Sequence, residues 1–347
     1  MPTHRTALFA PMLTAFALGS CRESPTAPSE TEPSGRVAAA VAGFWTPKAD
    51  HPRGVWAAAS ASLTNPSTLH TLVYVIGGRI RQFGGAGTVT NAVKVYDVGT
   101  NSWNSRAPVP VRLSHTNGAV ELDGKIYVTG GFTRVWDPQR NVWRLSTLKS
   151  LYVYDPATDT WTRRHDMPIA TANGVSAGYR GMLYVGTSCY DSSVCGDDSE
   201  RGALWRYSPA TDRWVLLDRT GHDLWQGSGG FIGGKLYLID FLGAMDIYNV
   251  ATKGWSTGPK FPARACDGVS TTLQAKLYLL GCQEGSGDYG DHPMVVFDPA
   301  TGEWSEQADA PVLENENWTL SRVVVGGRPG LELIGGAGTG SNLQFLP

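Results

Sequence analysis

The sequence predicts an all-β chain in which a four-stranded antiparallel unit is repeated six times around a ring. Three observations carry this prediction. A segment that runs from one aromatic residue to a tryptophan recurs along the chain, an apolar strand ending in small residues precedes each copy, and turn-forming residues separate the strands. With 42 glycines, 21 prolines and 41% hydrophobic residues among 347, the chain has both the turn formers and the apolar surface that such a body needs.

The recurring segment is a predicted hairpin, and its second aromatic follows the first after seven positions every time. Aspartate followed by proline suits the first two positions of a type I turn, so the flanking strands fold back on each other. The aromatic pair supplies large rigid surface for packing between neighbouring sheets. The five copies are YDVGTNSW at 96–103, YDPATDTW at 154–161, YSPATDRW at 207–214, YNVATKGW at 248–255 and FDPATGEW at 297–304.

The strand before each copy ends in small residues that let backbones approach closely. Two-residue turn signals, Asp123-Gly124 and Gly233-Gly234, precede two of these strands. The strand ends read VYVIGG, IYVTGG, LYVGTS, LYLIDF, LYLLGC and LELIGG, and proline recurs seven residues after the tryptophan at Pro52, Pro110, Pro168, Pro262 and Pro311. Together these marks resemble a kelch repeat over about residues 44 to 346. The resemblance implies a six-bladed kelch-type β-propeller of four-stranded antiparallel blades.

The two ends of the chain are predicted to close the ring. Six third-strand aromatics are present, the last being Phe345, but only five tryptophans follow them because the chain stops at Pro347. The missing tryptophan is found near the other end, as Phe44-Trp45. We therefore predict that an N-terminal strand around Trp45 completes the last blade of a propeller domain at 44–347, which removes the exposed edges of an open sheet.

The first 21 residues resemble a bacterial lipoprotein signal peptide. A short polar region is followed by an apolar stretch at 6–18 and then by Leu-Gly-Ser-Cys, with Cys21 where the lipid would be attached. An ordinary cleaved signal peptide is the alternative. Residues 22–43 are rich in Ser, Pro, Thr and Glu and predict a flexible linker. We expect an exported protein of the bacterial cell envelope, either anchored to the outer membrane through the lipid alone or periplasmic.

The remaining cysteines agree with export, where the surroundings are oxidising. Cys189 and Cys195 bracket a short loop, and Cys266 and Cys282 fall on predicted neighbouring antiparallel strands. These two pairs are disulfide candidates.

The charge of the chain is nearly balanced, with 29 basic and 31 acidic residues, and lacks the positive surplus that nucleic-acid binding requires. We expect a monomer with no nucleic-acid partner and no cofactor.

Irregular loops are concentrated on one face of the predicted propeller. The connections between second and third strands, and those between blades, vary from about five residues near 241–245 to about nineteen at 132–150. Insertions on one rim of a rigid scaffold usually carry function. Where the first strands enter the central channel, we expect a polar ring beside arginine and aromatic residues. The expected ligand-binding residues at this mouth are Arg53, Arg112, His115, Asn117, Asn173, Trp225, Gln226, Arg264, Asp267 and Asn317.

Such a ring suits a polar ligand, although the same groups also serve simply to bond each other and water.

The loop at 132–150 contains VWDPQRNVW, a near copy of the repeated hairpin. Two arrangements are open for it. It either projects from the rim with tryptophans and arginines typical of a protein-contact hot spot, or it folds its tryptophans onto the blade.

Three sets of side chains are candidates for metal binding or acid/base chemistry. Glu284, Asp288 and His292 have the spacing of the iron site in plant nitrile-specifier proteins, which are kelch propellers, and such a set suits Fe(II) as an alternative cofactor. His165-Asp166 and His222-Asp223 are candidate acid/base pairs on the same rim.

Two functional hypotheses follow. The first is an envelope-anchored binding module for a glycan, a small polar ligand or a partner protein. The second is an enzyme, acting either by acid/base chemistry like the kelch N-acetylneuraminate epimerases, which the chain resembles in repeat number and compartment only, or as an iron-dependent lyase. The binding module is favoured because no nucleophile, base and oxyanion site can be assembled from the sequence.

Overall fold

The computed structural model describes residues 43–80, 87–188, 202–220, 223–262, 264–282, 294–311, 318–335 and 340–347, and for residues 264–267 and 282 it describes the backbone alone. The chain divides into two units, Met1–Pro33 and Ser34–Pro347, and all described residues belong to the second. No helix in this described part is long and apolar enough to cross a membrane.

The described residues form six four-stranded antiparallel sheets, and each is one blade of a propeller. The blades follow one another in sequence, and the strands of a blade, named a to d from the channel outwards, follow chain order in blades 1 to 5. Blade 1 contains β3 (Ala59–Thr64), β4 (Thr71–Ile76), β7 (Val93–Asp97) and β8 (Ser102–Arg106). Blade 2 contains β9 (Ala119–Leu122), β10 (Lys125–Thr129), β13 (Leu151–Asp155) and β14 (Thr160–Arg163). Blade 3 contains β15 (Val175–Tyr179), β16 (Met182–Gly186), β17 (Ala203–Ser208) and β18 (Arg213–Arg219).

The second half of the ring repeats this plan, and blade 6 takes its outer strand from the N-terminal side. Blade 4 contains β19 (Ser228–Ile232), β20 (Lys235–Ile239), β21 (Met245–Asn249) and β22 (Gly254–Thr257). Blade 5 contains β23 (Arg264–Leu273), β24 (Lys276–Cys282), β25 (Met294–Asp298) and β26 (Glu303–Glu306). Blade 6 contains β27 (Thr319–Val325), β28 (Arg328–Gly335), β29 (Ser341–Leu346) and β1 (Phe44–Pro47).

Ring closure occurs as the sequence predicts. Strand β1 pairs antiparallel with β29, and Trp45 lies opposite Phe345, with the two rings 5.1 Å apart. The first strand therefore supplies the fourth strand of the last blade, so the first and last strands of the described chain pair with each other.

Two smaller sheets lie on the loop face. One has three short strands, β2 (Val55–Trp56), β5 (Arg79–Ile80) and β6 (Thr88–Val89). The other is a two-stranded hairpin inserted in blade 2, made of β11 (Phe132–Asp137) and β12 (Val142–Thr147). We call this second sheet the rim hairpin.

The core is divided among the interfaces between blades. Six hydrophobic clusters are found in the described part of the chain, and each joins residues of two neighbouring sheets. The cluster between blades 1 and 2, for example, packs Tyr74 and Ile76 against Ile126 and Tyr154. Because each blade buries both of its faces only when it has two neighbours, closing the ring also completes the core.

The repeated tryptophans join each blade to the one before it. Each outer-strand indole N–H donates a hydrogen bond to the preceding blade, in five cases to a backbone carbonyl in the loop that leaves that blade. These bonds run from Trp45 to Ala308 (2.8 Å), from Trp103 to Ala49 (2.7 Å), from Trp161 to Ala107 (2.9 Å), from Trp214 to His165 (2.9 Å) and from Trp304 to Pro259 (3.2 Å). Trp255 donates instead to the Asp218 carboxylate at 2.9 Å.

In blades 1 to 3 the turn between the third and fourth strands also bonds the preceding blade. A side chain in this turn accepts from the amide of the same loop residue whose carbonyl accepts from the tryptophan. Asp159 accepts from the Tyr154 hydroxyl at 2.6 Å and from the Ala107 amide at 2.9 Å, while Trp161 holds the carbonyl of Ala107. Asn101 and Asp212 make the same pair of contacts in blades 1 and 3. Blade 5 has Phe297 and Gly302 at these two positions, so the hydroxyl and its acceptor are both missing there.

Candidate functional site

The first strands of all six blades line a central channel, as the sequence predicts. The cavity has a volume of about 470 Å³ and is lined mainly by alanine, glycine, serine and threonine. Its serine hydroxyls bond to one another or to the neighbouring strand. Ser321 bonds Ser60 at 2.9 Å, and Ser270 donates to the carbonyl of Gly229 at 3.1 Å. Among the described residues, no histidine or carboxylate is hydrogen-bonded to these serines.

The polar ring at the channel mouth differs from the prediction in blade 2. Backbone hydrogen bonds make His115, and not Asn117, the residue equivalent to Asn173: the His115 amide donates to the carbonyl of Ala57 in the blade before it, and the Asn173 amide donates to the carbonyl of His115 in the same way. His115, Asn173 and Gln226 share a positive φ of 50 to 56°. The sequence predicts Asn117 at this position because Asn117-Gly118 has the same residue pattern as Asn173-Gly174.

Asn117 has a structural position. It is 3% exposed, and its side-chain oxygen accepts from the Thr171 hydroxyl at 3.1 Å and from the Gly174 amide at 3.0 Å. These contacts join blade 2 to blade 3. The side-chain oxygen of Asn117 is thus bonded within the protein, Asn117 also lines the channel, and its part in ligand binding stays a prediction.

His115 is the centre of an aromatic row at the mouth. Its ring lies 5.8 Å from Trp56 on one side and 5.8 Å from Phe132 on the other, and the Arg79 guanidinium lies 4.5 Å above Trp56. Burial, followed by the charge of Arg79, lowers the pKa of His115 to about 4. The imidazole is neutral at pH 7, which suits apolar contact rather than ion pairing.

The other residues predicted at the mouth are dispersed. Asn173 and Gln226 line the channel. Arg53 and Arg112 instead line a separate cleft beside blade 1, and Trp225 packs against Phe241 at 5.3 Å. Arg264 and Asp267 lie on β23 without a described side chain, and Asn317 lies outside the described residues.

The predicted metal residues Glu284, Asp288 and His292 lie outside the described residues. Within the part that is described, no cluster of three metal-ligating side chains occurs. Cys21, Cys189 and Cys195 are outside it as well. Strands β23 and β24 are paired neighbours, and Cys282 lies opposite Arg264, two residues from Cys266. The candidate disulfide at that place stays a prediction.

The candidate acid/base pair at His165 is not assembled. Its neighbour Asp166 accepts two hydrogen bonds from the Arg163 guanidinium, at 2.7 and 3.1 Å, and His165 is exposed. The carboxylate therefore orients an arginine and not the imidazole. His222, of the other pair, lies outside the described residues.

Among the described residues of this face, the large exposed apolar side chains are concentrated on the rim hairpin. Trp136 and Trp143 lie directly opposite each other, 5.5 Å apart in an edge-to-face pair, and are 46% and 63% exposed. The structure therefore shows the projecting arrangement of the two that the sequence left open. Val135, Val142 and Leu145 are exposed as well.

The tryptophans share one side of the hairpin with four other residues. Register places the pairs Phe132–Thr147, Arg134–Leu145 and Trp136–Trp143 on the same side, because directly opposite residues point to the same side of a sheet. We call Phe132, Arg134, Trp136, Trp143 and Leu145 the tryptophan side. Since Phe132 contacts His115, this side continues into the aromatic row at the channel mouth.

Comparison with known proteins places the chain in a family. Residues 115–168 match the family model described as the Kelch motif. The chain is 30% identical over 258 residues to the Kelch-like protein terF of Aspergillus terreus. This match covers 69% of this chain and 54% of that protein. The chain is a kelch-repeat protein.

Other kelch relatives span similar parts of the chain. A putative F-box/kelch-repeat protein of Arabidopsis thaliana, At1g27420, is 28% identical over 218 residues, covering 61% of this kelch protein and 58% of its own length. Kelch-like protein 36 of Mus musculus is 28% identical over 225 residues, and the match covers 60% of this chain and 33% of that protein. The chain thus spans less than two thirds of these relatives.

A solved structure confirms the fold. The structure of YjhT matches with a TM-score of 0.64 at 15% identity, covering 86% of this kelch protein and 95% of that chain. At this identity the likeness shows the propeller architecture alone.

Proposed function

We propose that this kelch protein is a binding module that holds a partner protein on the tryptophan side of its rim hairpin. The observation that carries the proposal is the exposed pair of Trp136 and Trp143. Folding gains nothing from leaving two large aromatic rings in water, whereas tryptophan and arginine are the residue types that dominate protein-contact hot spots. The pair is held rigid by the strand pairing around it, so little conformational entropy is lost on binding.

The partner is expected to be apolar at its centre and acidic at its edge. Arg134, Arg140 and Arg144 stand against a single carboxylate, Asp137, which already accepts from Arg140 at 3.1 Å and from Arg144 at 3.4 Å. The hairpin therefore presents a net positive charge around its tryptophans. Complementary charge on a partner would speed association and fix its orientation.

Site-specific photo-crosslinking in cells tests this proposal. A photoreactive residue in place of Leu145, on the tryptophan side, is expected to give one adduct of defined mass, and the adduct is expected to disappear when Trp136→Ala and Trp143→Ala are introduced. A photoreactive residue in place of Leu69, which is 75% exposed at the opposite face, is the matched control. Equal adducts from both positions, or an adduct that survives loss of both tryptophans, would contradict the proposal.

We further propose that the propeller is tethered to the bacterial cell envelope by a lipid on Cys21. The support is the sequence of residues 6–21 and the Ser/Pro-rich composition of residues 22–43. Cys21→Ser is expected to release the protein from the membrane fraction into the soluble fraction. Unchanged membrane association would show that the tether is wrong, without bearing on the rim hairpin.

A further inference from the structure

The cleft beside blade 1 is a second concave site, separate from both the channel and the rim hairpin. It has a volume of about 520 Å³ and lies where the third and fourth strands of blade 1 meet the loops on either side of that blade. Its lining combines an apolar floor, which includes Ile80, Val89 and Pro108, with hydroxyl and amide groups and basic side chains. This volume is in the range of small-molecule sites.

Basic residues from four segments of the chain converge on this cleft. Arg53 and Arg112 come from the loops before and after blade 1, Lys94 from β7 and Arg106 from the end of β8. No aspartate or glutamate is among the described residues that line it. Like charges placed together without acidic partners repel one another, so the arrangement costs stability unless an anion is bound.

The charges of the cleft are largely uncompensated. Among the described residues, Arg53 and Arg112 form no ion pair, and the Lys94 ammonium bonds only the Ser105 hydroxyl, at 2.7 Å. Arg106 differs from them, because its charge acts on the Asp159 carboxylate and helps to lower the pKa of that group. Three cations are thus free to face one ligand.

The surroundings supply donors for the same ligand. Thr88 and Thr90 line the cleft with hydroxyl groups, and Thr90 keeps its hydroxyl proton for donation because its oxygen accepts from the Ala92 amide. Arginine forks bind two oxygens of a phosphate or carboxylate at once, and a lysine adds a point charge.

We propose that this cleft binds a small organic anion that carries clustered phosphate or carboxylate groups. The negative groups lie between Arg53, Arg112 and Lys94, and the organic part lies on the apolar floor. This site is independent of the rim hairpin, and its proposal stands whether or not the hairpin binds a protein.

Isothermal titration of the purified propeller at low ionic strength tests the proposal, with pyrophosphate and citrate as separate probes. Binding of one or both in the millimolar range or tighter is expected, and the stronger of the two identifies the charged group that the cleft prefers. Arg53→Ala and Arg112→Ala are each expected to weaken that binding about tenfold, because each removes a charge-assisted hydrogen-bonding group. Added salt is expected to weaken it further.

Arg328→Ala is the matched control, since Arg328 is an exposed arginine at the start of β28, beside the turn that joins this strand to β27 in blade 6. It is expected to bind both probes as the unaltered protein does. The proposal is overturned if neither probe binds, or if the Arg53 and Arg112 variants bind as tightly as the Arg328 variant. Since Arg53 and Arg112 are exposed and form no ion pair within the described part of the chain, these variants are expected to keep the unfolding transition of the parent.

Discussion

Blade 2 contains two hairpins with nearly the same sequence and different surroundings. The blade hairpin, VYDPATDTW at 153–161, and the rim hairpin, VWDPQRNVW at 135–143, both place two aromatic rings opposite each other across the strands. The rings are 5.0 Å apart in the first and 5.5 Å apart in the second. Asp159 and Asn141 take the same left-handed conformation in the turn, with φ of 53° and 55°.

The two hairpins differ in what their side chains contact. Tyr154 is fully buried and bonded to Asp159, and Trp161 bonds blade 1, whereas Trp136 and Trp143 are 46% and 63% exposed. The motif therefore encodes a hairpin, and its position in the ring decides whether the aromatic residues stabilise the fold or remain available for a partner.

The largest expected difference comes from removing the second aromatic of each hairpin. Trp161→Ala is expected to lower the free energy of unfolding by about 3 kcal/mol, because it removes inter-blade packing and the bond to Ala107. Trp143→Ala is expected to change it by less than about 0.5 kcal/mol. Chemical denaturation followed by circular dichroism measures the free energy of unfolding of both variants. Equal losses would show that the two hairpins contribute equally to the fold.

The turn residues give a smaller contrast. Asp159→Ala leaves the Tyr154 hydroxyl and the Ala107 amide without their acceptor, while Asn141→Ala loses only a residue suited to a positive φ. The first is expected to cost about 2 kcal/mol more than the second. A difference near zero would mean that the contact with blade 1 contributes little to stability.

The contribution of Asp159 to stability is also expected to depend on pH. The Tyr154 hydroxyl and the Ala107 amide lower the pKa of Asp159 below its ordinary 3.8. The stability from this carboxylate is therefore complete above about pH 4 and is lost as pH falls through the folded-state value. Asp159→Asn, which copies Asn101 of blade 1, is expected to match the parent at pH 7 and to lose less stability than the parent between about pH 4 and pH 2. The same acid sensitivity in both proteins would exclude Asp159 as its source.

The smallest effect is expected at the ion pairs of the rim hairpin. Asp137 and Arg144 are paired at the surface, so Arg144→Gln is expected to change stability by less than about 0.5 kcal/mol. A larger loss, measured by the same denaturation assay, would mean that the rim hairpin contributes to the fold.

Much of the architecture was predictable because each repeat carries its own signals. The regular spacing of Tyr96 and Trp103 predicts a hairpin, and the position of Trp45 predicts the closing strand, since a tryptophan was missing from the last repeat. The hydrogen bonds from each indole to the preceding blade were not predicted. They join residues 37 to 263 positions apart, and the acceptor residues, which all stand four positions after the tryptophan of the preceding blade, share no common side chain.

The candidate site was predicted less well. Asn117 was assigned to the wrong equivalent position because its placement depends on a backbone hydrogen bond, from its amide to the carbonyl of Thr129, which the residue pattern does not reveal. The cationic cleft was missed because Lys94 lies in a strand and joins Arg53 only in three dimensions. A lysine at the start of a third strand, next to a loop, is the only signal that the sequence offered.

The most direct measurement shortens the rim hairpin and follows the partner. Residues 134–145 are replaced by Asn-Gly, so that Thr133 and Ser146 remain a pair across a two-residue turn. The affinity of the protein crosslinked at position 145 is then compared between the shortened and full chains. We predict that the shortened chain keeps the full free energy of unfolding to within about 0.5 kcal/mol and no longer binds this protein. Undiminished affinity would show that the rim hairpin is not the binding surface.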